Sequence, residues 1–285
     1  MFPQEITTIG NYAFYNSRLQ TITFPYNDVT IGKMAFCETE LKRINGVYSS
    51  DDNHCLIVDG VLKAVALDEI YDYSLPVGIT SIEDNCFRSR YVKSLKLPQG
   101  IRTIGDYAFA DCGYLETINI PEGVQTIGKF AFADCYSIKE LHFPQSLVEL
   151  GDGFLSCRQT IHIDSPQIRR FSGKYATEDG CAVVCDNVLK AYISTDSRCI
   201  KLSNDITTVG TEAFMSSRMN ARAIEIPQSF TTVREDAFIS YPAFDTVFCN
   251  NELLKQQIET QTNEYWEGFL ASNIEDFDED FDEDL

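Results

Sequence analysis

The segment Ile104-Gly105-Asp106-Tyr107-Ala108-Phe109-Ala110-Asp111-Cys112 returns 23 residues later as Ile127-Gly128-Lys129-Phe130-Ala131-Phe132-Ala133-Asp134-Cys135. A proline stands six residues before each leading Ile, at Pro98 and Pro121. The same frame recurs as Pro3/Ile9/Phe14, Pro25/Ile31/Phe36, Pro76/Ile82/Phe87, Pro144/Leu150/Leu155 and Pro227/Val233/Phe238. An eighth copy, Val209-Gly210 with Ala213-Phe214, has Ser203 in the proline's place. Adjacent copies are 22 to 24 residues apart, and self-similarity at such a period marks a repeat architecture.

The repeated positions say what each unit must be. Leu115-Glu116-Thr117-Ile118-Asn119-Ile120 is an apolar strand in which Ile118 and Ile120 face one way and Thr117 and Asn119 the other. Proline ends it, having no N–H for a ladder. Val124 and Ile127 start a return segment, the glycine allows a tight bend, and the Ala-Phe pair places a ring under the next coil. One such unit cannot bury its apolar face alone, so the units must stack. The spacing predicts a β-rich repeat solenoid with short turns and short helical segments.

Two longer intervals, Ile31 to Ile82 and Leu150 to Val209, carry matching inserts. Cys55 to Ala64 reads as a β-hairpin about Asp59-Gly60, and Cys181 to Ala191 repeats it with one extra residue. Val61 to Val188 and Ile82 to Val209 are both offset by 127 residues, a higher-order duplication. The expected organisation is a solenoid over 1–249, with hairpin inserts at about 47–75 and 173–202. A C-terminal cap over 250–274 follows, with a helical stretch from Leu253 to Asn263 and the lone Trp266, then an acidic disordered tail over 275–285. Phe2-Pro3 matches the end of a strand whose beginning is missing, from either a longer protein or an incomplete first coil.

Charge narrows the partners. The formal net charge is −20, and −12 remains when the eight acids between Glu275 and Leu285 are set aside. Such a field repels phosphate backbones and anionic membrane surfaces, so nucleic acid is not an expected partner. No apolar stretch is long enough for a membrane helix, and Met1 to Glu5 lacks the basic start and apolar run of a secretory signal.

The run Ile-Pro-x-x-Val-x-x-Ile-Gly-x-x-Ala-Phe-x-x-Cys-x-x-Leu, carried almost letter for letter by residues 98–135, resembles the BspA-type leucine-rich repeat of bacterial and some protozoan proteins. The hairpins and the Trp-x-x-Phe ending fit that resemblance, which extends over residues 2 to about 274. It implies a right-handed leucine-rich-repeat superhelix and a role in adhesion or protein recognition, often at the cell surface or after secretion. Phe154-Leu155 in place of Ala-Phe, and Glu83 and Arg234 in place of Gly, depart from the pattern.

Chemistry-bearing residues are sparse. Among ten cysteines, Cys112, Cys135 and Cys157 share one repeat position and should stack as core filling rather than as disulfides. Cys181, Cys185 and Cys199 present three thiols with no fourth zinc ligand, so neither a metal nor a cofactor is expected. His142 and His162 occupy one outward column in what read as adjacent strands, with Glu140 on the same face. They are either a close imidazole pair or two solvated side chains. No nucleophile, base and orienter come together, so an enzyme is not expected.

The outward strand positions make the candidate binding ribbon: Thr21, Thr23, Ser94, Lys96, Thr117, Asn119, Glu140, His142, Thr160 and His162. It holds no aromatic anchors, and the insert tyrosines Tyr48, Tyr71, Tyr73, Tyr175 and Tyr192 are the alternative hot spots. The expected function is a monomeric, non-enzymatic scaffold recognising a protein or glycan. The alternative is a structural spacer within a larger surface protein. An even, charged exterior would favour the spacer, and a contiguous apolar or aromatic patch the scaffold.

Overall fold

The computed structural model describes residues 6–26, 28–67, 71–155, 170–173, 175–177, 181–192, 199–211, 213–214, 222–234, 237–238 and 244–262. The chain forms two compact units, 1–183 and 184–285. Each is a β-solenoid whose coils contain a longer strand, a proline turn, a two-residue strand and a turn carrying Ala-Phe.

In the first unit the short strands Ser81–Ile82, Thr103–Ile104, Thr126–Ile127 and Glu149–Leu150 stack as a parallel ladder. The longer strands build three separate parallel ladders. Thr21–Phe24 pairs with Arg43–Gly46; Asp72–Ser74 pairs with Ser94–Lys96 and that with Thr117–Asn119; Glu140–Phe143 pairs with Arg170–Gly173. Alternation in these strands turns Ile22, Leu95 and Leu141 inward and leaves Thr21, Lys96 and Glu140 exposed.

The Ala-Phe turns form a third column held by their own backbone. Tyr107 N donates to Lys129 O at 2.9 Å, Phe109 N to Ala131 O at 2.8 Å and Asp111 N to Ala133 O at 2.8 Å. The short acidic side chains on this turn extend the ladder, since Asp84 Oδ1 accepts from Asp106 N and Asp106 Oδ1 from Lys129 N. Inside it the rings pile up face to face, Phe87 on Phe109 at 4.9 Å and Phe109 on Phe132 at 5.2 Å. That spacing is close to the separation of neighbouring strands, so one ring per coil fills the core. Each fully buried ring stabilises the fold by about 1.5–3 kcal/mol.

The turn requires positive φ at two residues four apart, for instance a bulky ring at the first and a short Asn or Asp at the second: Tyr12 and Asn16, Tyr107 and Asp111, Phe130 and Asp134. The equivalent place in the last of these coils is Gly153, at φ 62. Left-handed Tyr and Phe cost on the order of 1–2 kcal/mol each. Stacking of Tyr107 on Phe130, with ring centroids 4.9 Å apart, holds them there.

The hairpins are woven into the solenoid. Cys55–Val58 and Val61–Val65 pair antiparallel, and the turn between them has Asp59 at φ 50 and Gly60 at φ 77. The return strand then joins the short-strand ladder, Val61 beside Ser81 and Leu62 beside Ile82. The second hairpin turns at Asp186 and Asn187, φ 51 and 64, and its return strand Val188–Tyr192 pairs with Thr208–Val209.

This weaving explains Glu83. At the level beneath it Lys63 lies within the strand Val61–Val65, where the other coils have left their short strand and bend. The Glu83 carboxylate takes Lys63 Nζ at 2.6 Å and the Met34 amide at 3.1 Å. Lys33–Asp84 and Arg90 to Thr39 O, at 2.6 and 2.8 Å, complete the join between turns about 50 residues apart.

In the second unit Cys199–Lys201, Ala223–Glu225 and Thr246–Phe248 form one parallel ladder, and Val188–Tyr192, Thr208–Val209 and Thr232–Val233 another. A helix at 252–262 follows, N-capped by Asn251 Oδ1, which accepts from Leu253 N and Leu254 N. Leu254, Ile258 and Thr262, four apart, are its buried face. Gln261 donates to Arg234 O and accepts from Phe238 N, an amide whose counterparts in earlier coils donate to the next coil. Trp266 and the tail over 275–285 lie outside the described residues.

Where turns stack, glycine is compulsory by contact. A Cβ on Gly128 would sit 2.6 Å from Asp106 N and 2.7 Å from the Gly105 carbonyl carbon, whereas one on Gly10 would meet nothing within 4 Å. Gly128→Ala is therefore expected to destabilise the protein by about 2 kcal/mol. Gly10→Ala should leave stability within about 0.5 kcal/mol. Urea unfolding midpoints of the two variants test this, and equal losses would contradict it.

Candidate functional site

The outward face of the first unit starts from the three long-strand ladders. Thr21, Thr23, Ser94, Lys96, Thr117, Asn119, Glu140 and His142 all project from it, while Thr160 and His162 lie outside the described residues. The order of strands changes what stands beside them. Arg43 and Asn45 neighbour Thr21 and Thr23, and Asp72 and Ser74 neighbour Ser94 and Lys96. The residue alongside His142 is Ser172, its hydroxyl 3.1 Å from Nδ1, in the place the sequence assigned to His162. Ser172, and not a second imidazole, is therefore the described strand neighbour of His142. The hairpins had interrupted the repeat frame, so the intervening strands could not be aligned.

The insert tyrosines divide between half-buried rings held by hydrogen bonds or packing and one open ring. Of the insert tyrosines, Tyr48 bonds the Val29 backbone, Tyr73 donates to Asp52 at 2.6 Å and Tyr175 bonds Leu147 O and Val148 O. Tyr192 packs on Phe214 at 5.5 Å. Those four hold the fold. Tyr71 alone is mostly exposed, at 62%.

Two tyrosines outside the inserts join it. Tyr91 and Tyr114 occupy one repeat position at the entry to strands Ser94–Lys96 and Thr117–Asn119, each 60% exposed, their rings 5.4 Å apart. Tyr71 precedes the neighbouring strand Asp72–Ser74, and its carbonyl accepts from Lys93 N and Ser94 N. Beside the ring pair runs an exposed ion ladder in which Glu116 contacts Lys93 at 3.3 Å and Lys139 at 3.6 Å. Such surface pairs add little stability, which leaves them free to serve another surface. No pattern signalled these rings, because the same position holds Arg18, Glu40 and Ser137 in other coils.

A polar cluster under the first hairpin looks more like chemistry than it is. Asp52 accepts from the Ser50 hydroxyl, Tyr73 Oη and the His54 amide. Burial pushes its carboxyl up, but those hydrogen bonds outweigh it and hold the pKa below the ordinary value. His54 Nδ1 is 2.8 Å from Ala66 O, so the ring orients the backbone and not a nucleophile. The adjacent Cys55 is fully buried, its thiol pushed up to about 12 by burial.

The other cysteines are packed, not poised. Cys112 and Cys135 each donate Sγ–H to a carbonyl of the preceding coil, Phe87 O and Phe109 O, both at 3.0 Å. Burial raises the Cys37 and Cys112 thiols to about 12 and Cys86 well above its usual value. Cys185 is buried with Sγ 3.7 Å from Asp186, while Cys181 and Cys199 are partly exposed. Among the described residues no three His, Cys, Asp or Glu side chains converge to hold a metal ion. Cys157 lies outside them.

The sequence profile of the BspA type Leucine rich repeat region matches six copies here, over residues 1–52, 69–182 and 190–264. The chain belongs to the BspA-type leucine-rich repeat family. No curated protein sequence matches it. Among solved structures it is similar to the pneumococcal vaccine antigen PcpA, at 19% identity over 86% of this chain and 59% of that one, with a TM-score of 0.49. A leucine-rich repeat protein from Bacteroides ovatus is 18% identical over 81% of this chain and 67% of that one, with a TM-score of 0.40. A leucine rich cell surface protein from Faecalibacterium prausnitzii is 19% identical over 90% and 86%, with a TM-score of 0.37. This BspA-type chain thus spans 59% of the pneumococcal antigen structure, and its family rests on the repeat match itself.

Thiol burial has a direct readout. In the native protein, iodoacetamide should label Cys181, Cys199 and Cys249 within minutes and leave Cys37, Cys55, Cys86, Cys112, Cys135 and Cys185 unmodified until denaturant is added. Peptide mass spectrometry checks this, and rapid native labelling of Cys112 or Cys135 would contradict the packing.

Proposed function

We propose that this protein is a non-enzymatic, adhesin-like scaffold that recognises a partner protein through the long-strand face of its first unit. The observation that carries this is the exposed Tyr91–Tyr114 pair, with Tyr71 on the next strand entry. Tyrosine supplies a large contact area at small entropic cost and a hydroxyl for the wet rim, which is why it concentrates at binding hot spots. These rings stand on backbone locked by parallel ladders, so little freedom remains to lose on binding.

The surroundings suit the same role. Thr117, Asn119 and Ser94 offer short polar groups in a regular array, and Lys93, Glu116 and Lys139 provide both signs of charge. A spacer has no use for three tyrosines more than half exposed on one edge. The similarity to a leucine rich cell surface protein accords with display outside a cell.

Surface plasmon resonance of the full chain against a panel of purified extracellular-matrix proteins tests the proposal. At least one should bind saturably, and Tyr91→Ser with Tyr114→Ser should weaken it at least tenfold, the loss of about 1.4 kcal/mol or more at a hot spot. Both residues are exposed, so circular dichroism should be unchanged. Absence of saturable binding across the panel, or equal binding by the double variant, would overturn the proposal.

A further inference from the structure

The second unit carries a different surface. Its long-strand face and the loops beyond it enclose an open depression of about 1130 Å³, somewhat above the usual size of a ligand site. Lys201, Glu225 and Phe248 lie in one row across its three parallel strands. Asn204, Gln228 and Asn250 stand along its wall.

We infer that this depression is a binding site for a neutral oligosaccharide. Three observations converge on that chemistry. Phe248 is 54% exposed, a bare ring at the end of a rigid row where the C–H face of a sugar can lie against its negative face. The three carboxamides are exposed and make no side-chain hydrogen bond among the described residues, so each offers a donor and an acceptor to hydroxyl groups. Lys201 and Glu225 pair at 2.8 Å with both side chains open to solvent, and the row is therefore neutral while still presenting polar atoms.

Charge and apolar area exclude the alternatives. On a chain of net charge −20, a row without excess positive charge repels anionic ligands. A peptide docking by side-chain burial needs an apolar pocket. Ile226 and Val247, the other large apolar residues here, are only 7% and 5% exposed and belong to the core. One exposed ring among amides and an internally paired charge fits a hydroxyl-rich ligand with an apolar face. The site is built from residues other than the tyrosine surface of the first unit and stands without it.

Isothermal titration of the full chain with cellohexaose, laminarihexaose, maltohexaose and mannohexaose, with a hyaluronan hexasaccharide as anionic control and an apolar decapeptide as competitor, tests the inference. At least one neutral hexasaccharide should bind with a dissociation constant of about 1 mM or tighter. Phe248→Ala should weaken it at least tenfold, Phe248→Tyr should retain it, and Lys201→Ala with Glu225→Ala should weaken it without altering the circular dichroism. Tyr91→Ser with Tyr114→Ser should leave it unchanged, which separates this site from the protein-recognition surface. Binding to no neutral sugar, survival of binding in Phe248→Ala, preference for the anionic sugar, or displacement by the decapeptide would overturn the assignment.

Discussion

The structure depends on one close approach. At the Ala-Phe turn successive coils come so near that a Cβ on Gly105 would lie 2.7 Å from the Asp84 amide nitrogen, and one on Gly128 at 2.6 Å from that of Asp106. Coils that touch backbone to backbone must share one conformation, because a shift in one would strike the next. From that follow the common register of the short-strand ladder, the ring stack at about strand spacing, and the tolerance of left-handed Tyr and Phe. No single coil holds its shape alone; the strain of each is borne by its neighbours.

Much of this was written in recurring letters. Pro, Ile, Gly and Ala-Phe each mark a geometric event that every coil repeats, so the solenoid and the Asp59-Gly60 turn were legible before any coordinates. What escaped was chemistry that does not repeat. Positive φ at Tyr107 or Phe130 has no local signature, since the stack and not the residue imposes it. Glu83 looked like a lapse in the pattern and is instead where the hairpin strand runs beneath the turn, its carboxylate taking Lys63 and the Met34 amide.

The outward strand face was legible as a face, but not the rings proposed to act on it. Alternation alone assigned Ser94, Lys96, Thr117 and Asn119 to the outside, and they are there. Ser172 is the described neighbour of His142, a pairing the repeat letters did not reveal because the long interval from Leu150 to Val209 breaks their frame. Tyr91 and Tyr114 went unnoticed for the opposite reason, lying in a variable column that a search for sameness discards. The recurring positions build the frame, and the proposed contacts lie where the pattern is silent.

Recognition by the tyrosine edge of a rigid ladder is the central claim, and a hydrogen-exchange footprint of the full chain with a bound matrix protein reads it most directly. The account predicts new protection at residues 71–74, 91–96 and 114–119, with the Ala-Phe turns at 105–111 and 128–134 exchanging as in the free protein. Protection confined to those turns or to the hairpin at 55–65, with the tyrosine edge unchanged, would contradict it.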